Sequence, residues 1–291
     1  MLSISIIGLG RAGGALAIAL NRAGFEIDQL VYRHRALELP ELKGNRFVLW
    51  SKVESIQSDL LLIATQDQQI RTVAERISSF TKRPKAALHI SGSLSSDVLE
   101  SLKSGGVAIG SMHPLVSISD AFIGADRFAN AYFCVEGDPE AVSAAESLVN
   151  SLDGRPFTIE SRLKPLYHAS AVMASGHVTA LFDLAIETLS KCGIEPNSAR
   201  SILFPLVEST IANLKGQSPA EALTGPFVRG DIDAFRRHLD ALETGADENG
   251  RRIYLELAER SIRIAREGSA KIDALEELGR AISMAKRKTE C

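Results

Sequence analysis

Ser3-Ile4-Ser5-Ile6-Ile7 runs straight into Gly8-Leu9-Gly10-Arg11-Ala12-Gly13, and Gly14-Ala15-Leu16-Ala17-Ile18-Ala19-Leu20 follows. A short apolar strand, a G-x-G-x-x-G turn and a run of good helix formers compose the dinucleotide-binding fingerprint. Gly8 permits the tight turn, Gly10 lets the backbone approach a pyrophosphate, and Gly13 lets the helix pack closely on the strand. The phosphates are expected on the free N–H groups of the helix start, where the macrodipole is positive. Gly8, Leu9, Gly10, Arg11, Ala12 and Gly13 are therefore the expected cofactor contacts. A secretory signal is the competing reading of so apolar a start. It fails because no basic stretch precedes the apolar run, Arg11 interrupts it, and no small-residue cleavage site leads into a polar segment. A cytoplasmic protein is expected.

Outward from that stretch, the first half alternates strand-like and helix-like segments. Further strands are expected at residues 27–32, 47–50, 60–64, 86–91, 107–112, 131–135 and 157–160. Helices are expected at 11–23, 70–79, 96–103 and 139–152. Short apolar strands with helices between them read as a parallel, doubly wound sheet covered on both faces. From Ser161 onward the periodicity is helical almost without a break. The expected fold class is α/β: an N-terminal Rossmann-like sheet over 1–160, followed by an all-α domain over 161–291. Ser161 is a fitting N-cap for a helix reaching Cys192, with Gly193 as its stop. Ala169, Ala171, Ala174, Ser175 and Gly176 leave its middle small-sided. Later helices are expected at 198–214, kinked at Pro205, and at 232–243, 251–267 and 271–286.

The 291 residues are enough for two domains, and 45% hydrophobic content can give each a core. A net charge of −3 provides no basic field, which argues against a nucleic-acid partner. Cys134, Cys192 and Cys291 have no metal-type spacing, so neither a zinc site nor a disulfide framework is expected. No run of about 18 uninterrupted apolar residues occurs, and no membrane-spanning helix is expected.

The second strand ends in Val31-Tyr32-Arg33-His34-Arg35. An NAD-selective site places a carboxylate there for the ribose 2′-hydroxyl. Arg33 and Arg35 instead suit a 2′-phosphate, and Glu38 lies too far along to serve the hydroxyl, so NADP(H) is the expected cofactor. A solvated basic loop is the alternative. Two later strands end in Ala64-Thr65 and Ser91-Gly92, small residues that leave room for a ribose and a flat nicotinamide ring. His113, before Pro114, is either a contact to substrate or cofactor or a structural histidine.

With its fingerprint and the Ala64-Thr65 and Ser91-Gly92 tips, the first half resembles a broad superfamily of reductases. It includes 6-phosphogluconate and hydroxyisobutyrate dehydrogenases and pyrroline-5-carboxylate and ketopantoate reductases. More narrowly, three motifs resemble a bacterial family that joins a Rossmann-like domain to a helical domain of unknown function. They are His113-Pro114, Lys164-x-x-Tyr167-His168-Ala169 and Leu223-Thr224-Gly225-Pro226-x-x-Arg229-Gly230-Asp231. Members of that family are commonly labelled NADP oxidoreductases, and the likeness spans essentially the whole chain. The resemblance implies a two-domain reductase with its site in the cleft, and a homodimer formed through the helical halves. One departure stands out: relatives often carry an asparagine near the position of Ser175, where this chain has Gly176-His177.

Lys164 and His168, four residues apart, share a helix face. Related dehydrogenases use a lysine on the equivalent helix to polarise and protonate a carbonyl, so Lys164, His168 and His113 are the candidate catalytic residues. A surface lysine beside an interface histidine is the structural alternative. Tyr167 points about 100° away and is expected in the core. Arg229 is the candidate for holding a substrate carboxylate, while Asp231 suits an N-cap. The sequence thus points to an NADP(H)-dependent reductase of a small carbonyl or imine compound. A non-catalytic NADP(H)-binding sensor is the alternative.

Overall fold

The computed structural model describes residues 2–34, 39–245, 247–268 and 272–289. Arg35 and Glu38 lie outside the described residues. The chain divides into two compact units, Met1–Gly176 and His177–Cys291.

The first unit is built on an eight-stranded sheet: β1 (Ser3–Ile7), β2 (Glu26–Tyr32), β3 (Phe47–Leu49), β4 (Leu60–Ile63), β5 (Ala86–His89), β6 (Ala108–Pro114), β7 (Tyr132–Gly137) and β8 (Arg155–Thr158). Their spatial order is β3-β2-β1-β4-β5-β6-β7-β8. The order reverses between β1 and β4, which opens a crevice at the carboxyl ends of those strands. Helices α1 (Arg11–Arg22), α2 (Asp67–Ser78), α3 (Ala121–Asp126) and α4 (Pro139–Ser151) accompany the sheet. Alternation along the central strands sorts side chains to its two faces. Ile4, Ile6, Leu60 and Leu62 pack with Leu16 and Leu20 of α1 and Leu148 of α4. Ile7, Leu61 and Ile63 pack with Ile70, Val73 and Ile77 of α2.

The doubly wound architecture is present, with one departure: β7 runs antiparallel to β6. The stretch between these strands contains only the short α3, and the chain returns in the opposite sense. The register this imposes sets Ser111 opposite Glu136 and His113 opposite Cys134. α4 then carries the chain to β8, parallel to β7.

The expected helix from Ser161 is interrupted. A 3-10 turn over Ser161–Leu163 leads into α5 (Lys164–Ala174), and α6 (Gly176–Ser190) starts afresh after Ser175. Ser175 leaves helical geometry at φ −128°, ψ −76°, where a Ser-Gly pair makes a break easy. α5 belongs to the first unit, so the division falls beyond residue 160.

The second unit adds α7 (Pro196–Gly216), α8 (Pro219–Ala222), α9 (Pro226–Arg229), α10 (Ile232–Gly245), α11 (Glu248–Arg266) and α12 (Ile272–Thr289). α7 runs on through Pro205. Phe235, Leu255, Ile262, Leu275, Leu278 and Ile282 form the core among α10, α11 and α12. α6 buries no residue and α7 only Ala199, leaving Leu181, Ile202, Phe204 and Leu206 exposed. Ser161–Ser190 is also long and apolar enough to cross a membrane by length and composition alone. The expectation of no such helix rested on an uninterrupted apolar run, which small and polar residues here break up without making the stretch hydrophilic.

Candidate active site

The fingerprint glycines occupy three different environments. Gly8 has φ +98°, and a Cβ there would lie 2.6 Å from the Ala64 carbonyl oxygen. A Cβ on Gly13 would lie 1.9 Å from the Gly8 carbonyl oxygen and 2.8 Å from the Ala64 Cβ. Gly10 is different: a Cβ there would meet nothing within 4 Å. Gly8 and Gly13 thus close the turn, and Gly10 faces open space, as a residue under an approaching pyrophosphate must. No side chain caps α1 and no acidic residue sits in its first turn. The early N–H groups, Arg11, Ala12 and Gly13 among them, have no partner within the helix. Leu9 sends its side chain into the core, so only its backbone is available.

Beside this turn lies a cavity of about 240 Å³, lined by Gly8, Tyr32, Arg33, Trp50, Thr65 and Thr72, among others. Thr65 Oγ1 is buried there without a hydrogen-bond partner among the described residues, the kind of orphan a ligand hydroxyl or phosphate satisfies. Arg33 is exposed at the cavity rim. Trp50, not among the expected site residues, carries the Arg76 guanidinium 4.2 Å above its ring. A lone tryptophan at the end of the third strand was the signal that could have found it. These features fit a dinucleotide.

Beyond β5 and β6 a polar cluster is buried. Lys164, at the start of α5, is fully buried. Its ammonium donates to the Ser91 carbonyl at 3.1 Å and to Ser111 Oγ, and lies 3.6 Å from Glu136 Oε1. Glu136 accepts from the Ser96 amide and hydroxyl, both at 2.9 Å, and from the hydroxyls of Ser111 and Ser161, both at 2.7 Å. Burial pushes the Glu136 carboxyl up, but the Ser111 and Ser161 hydroxyls and the Lys164 charge outweigh it and hold it below the usual range. Burial lowers Lys164, against the pull of Glu136. Glu136 was not anticipated. Its alternation with buried Cys134 on one strand was the available signal.

Ser91 is fully engaged by the protein. Its amide donates to His89 Nδ1 at 3.2 Å, and its hydroxyl donates to Asp67 at 2.8 Å. Gly92, next along, lies beneath two imidazoles. A Cβ there would come within 2.5 Å of His168 Cδ2 and 2.8 Å of His113 Nε2. The His113 and His168 rings meet edge to face with centroids 5.8 Å apart. His113 Nδ1 shares a 2.7 Å hydrogen bond with the Tyr167 hydroxyl. Tyr167 is therefore half-buried at the site instead of sitting in the core, and its i, i+3 spacing to Lys164 is the signal that would have placed it there. Burial, then the charges of Lys164 and His168, push His113 down to about 4. Burial and Lys164 do the same to His89.

The structure thus brings Lys164, His168, His113, Ser91 and Gly92 together in the first unit, with Ala64 and Thr65 at the end of the neighbouring β4, beside the fingerprint. Arg229 belongs to the second unit and is exposed at the end of α9. Asp231 accepts from the Ala234 amide at 2.9 Å, capping α10.

Residues 1–114 match the model of a Rossmann-like domain, and residues 131–261 that of a domain of unknown function, DUF2520. The chain therefore joins a Rossmann-like domain to a DUF2520 domain, with His113 in the first match and Glu136, Lys164, Tyr167 and His168 in the second. Among solved structures, the chain is similar to a "putative NADP oxidoreductase" of Bacteroides fragilis. The two are 24% identical with a TM-score of 0.73, over 89% of this chain and 97% of that one. A Thermotoga maritima protein is 23% identical with a TM-score of 0.71, over 91% and 98%. The Plasmodium falciparum pyrroline carboxylate reductase, solved with NADP bound, is 14% identical with a TM-score of 0.59, over 97% and 99%. No curated protein matches the chain by sequence.

Proposed function

We propose that the protein is an NADP(H)-dependent oxidoreductase that reduces the C=O or C=N group of a small molecule. The observation that carries this reading is the pair of half-buried imidazoles, His113 and His168, over Gly92 at the carboxyl ends of the strands. In a doubly wound sheet that edge borders the nicotinamide half of a dinucleotide held by Gly8–Gly13. The names of the Bacteroides and Plasmodium neighbours accord with it.

Gly10 and the first N–H groups of α1 would take the pyrophosphate, Thr65 a neighbouring polar group, and Arg33 the 2′-phosphate. Bound NADPH would supply the hydride. His113 would orient and polarise the substrate's heteroatom, and His168 would handle its proton. Lys164, with its ammonium directed to Ser91, Ser111 and Glu136, would hold the strand tips beneath them.

A second reading, a sensor that binds NADP(H) and turns nothing over, draws on that same commitment of Lys164. The test is a screen of 2-oxo acids and cyclic imines for NADPH oxidation, with Gly92→Ala as control. An added methyl displaces the ends of both imidazole side chains. It should lower turnover about tenfold or more. Tight NADPH binding without turnover of any compound would favour the sensor.

The apolar residues left exposed on α6 and α7 support a homodimer formed through the helical half.

A further inference from the structure

Two histidines on adjacent strands of this sheet have opposite hydrogen-bonding situations. His89, on β5, uses both ring nitrogens within the protein. Nε2 lies 3.1 Å from the Ser95 carbonyl, which can only accept, and Nδ1 accepts from the Ser91 amide. That ring is structural. His113, on β6, uses only Nδ1, at 2.7 Å from the Tyr167 hydroxyl. Its Nε2 has no partner among the described residues, and it is not among the atoms sealed from solvent.

The direction of the Tyr167 bond decides what Nε2 can do. Among the described residues the phenol oxygen has no second hydrogen-bond partner besides His113. If His113 donated, the phenol O–H would be left without an acceptor in a half-buried position, at the cost of an unmade bond. Burial also raises Tyr167 well above the usual phenol range, so it keeps its proton. The phenol therefore donates, Nδ1 accepts, and the ring proton resides on Nε2.

We propose that Tyr167 is a positioning residue whose hydroxyl fixes His113 in the Nε2–H tautomer, presenting that N–H as the hydrogen-bond donor to the substrate's C=O or C=N group. This deepens the oxidoreductase reading and rests on it. The Lys164 ammonium nearby works in the same direction, because a second positive charge on His113 is disfavoured beside it. A neutral imidazole N–H polarises a carbonyl without giving up its proton. The T-shaped contacts of Tyr167 with His113 and Phe157 hold the phenol in line.

The test is nitrogen NMR of the full chain labelled at histidine, near neutral pH, with His113→Gln assigning the resonance. The parent should show His113 with a protonated Nε2 and a bare Nδ1, and Tyr167→Phe should convert this to a mixture of tautomers. A protonated Nδ1 in the parent, or an unchanged spectrum in Tyr167→Phe, would overturn the proposal. NADPH titration of the same samples reports the oxidoreductase reading separately. Loss of NADPH binding in the parent would remove that reading while leaving the tautomer result to stand or fall by itself. With a substrate in hand, Tyr167→Phe should lower turnover about tenfold or more with NADPH affinity unchanged. A parent-like rate would count against the positioning role.

Discussion

Gly10→Ala and Gly13→Ala should have opposite effects, although both change a glycine of one motif. At Gly13 the new methyl would sit 1.9 Å from the Gly8 carbonyl oxygen and 2.8 Å from the Ala64 Cβ. Neither neighbour can move without displacing backbone, so α1 must lift from β1. Overpacking of this kind costs about 1–3 kcal/mol, and a backbone overlap so close belongs at the upper end. The better helix propensity of alanine returns about 1 kcal/mol, for a net loss of roughly 2. At Gly10 the backbone angles, φ −77° and ψ −166°, suit any residue, and no atom lies within 4 Å of the added methyl. Reduced unfolded-state freedom contributes about 0.4–1 kcal/mol, which the poorer N-cap propensity of alanine offsets. Stability should therefore stay within about 1 kcal/mol of the parent. NADPH affinity should fall about tenfold or more, because the methyl fills the space through which a pyrophosphate reaches the N–H groups. Urea unfolding measures the first quantity and nicotinamide fluorescence titration the second. A Gly10→Ala protein that binds NADPH as the parent does would remove the pyrophosphate from this turn, and a Gly13→Ala protein of parental stability would show that α1 is not packed so tightly on β1.

Lys164→Met should cost about 3–5 kcal/mol, since it strands the Glu136 charge in the interior. Adding Glu136→Gln should recover much of that loss in the same urea experiment, and a cost below about 1 kcal/mol would dismiss the pair. His89 and His113 titrate near 4 when folded, against 6.5 unfolded, so the unfolded chain takes up protons first. Their contribution is fully present above pH 6.5 and lost as the pH falls toward 4, by roughly 3 kcal/mol for each. A urea midpoint unchanged between neutral pH and pH 5 would contradict it. Light scattering at micromolar concentration should give the mass of a dimer, and a monomer would rule out the helical-half interface.

The elements that were legible in the sequence are those whose burial is written in their periodicity. The apolar run Leu60–Ile63 can only be a central strand covered on both faces, and it is fully buried. The glycine spacing carried the turn at Gly8 for the same local reason. The antiparallel sense of β7 was not legible, because a connection as long as residues 115–131 permits either sense. Nor were the partners of Glu136 and Tyr167. A carboxylate at a strand end and a tyrosine one position from a histidine look ordinary until the β6–β7 register and α5 bring them to Ser111 and His113. The break at Ser175 was similarly hidden, since a small-sided helix and a broken one share the same composition.

Whether the Gly8–Trp50 cavity holds NADP(H) is decided by titrating the full chain with NADPH and with NADH, each followed by nicotinamide fluorescence. Arg33 at the rim of the Gly8–Trp50 cavity predicts saturable NADPH binding, about tenfold or more tighter than NADH, the worth of one charge-assisted pair. Equal affinities would contradict the role given to Arg33, and no saturable binding of either cofactor would contradict the account as a whole.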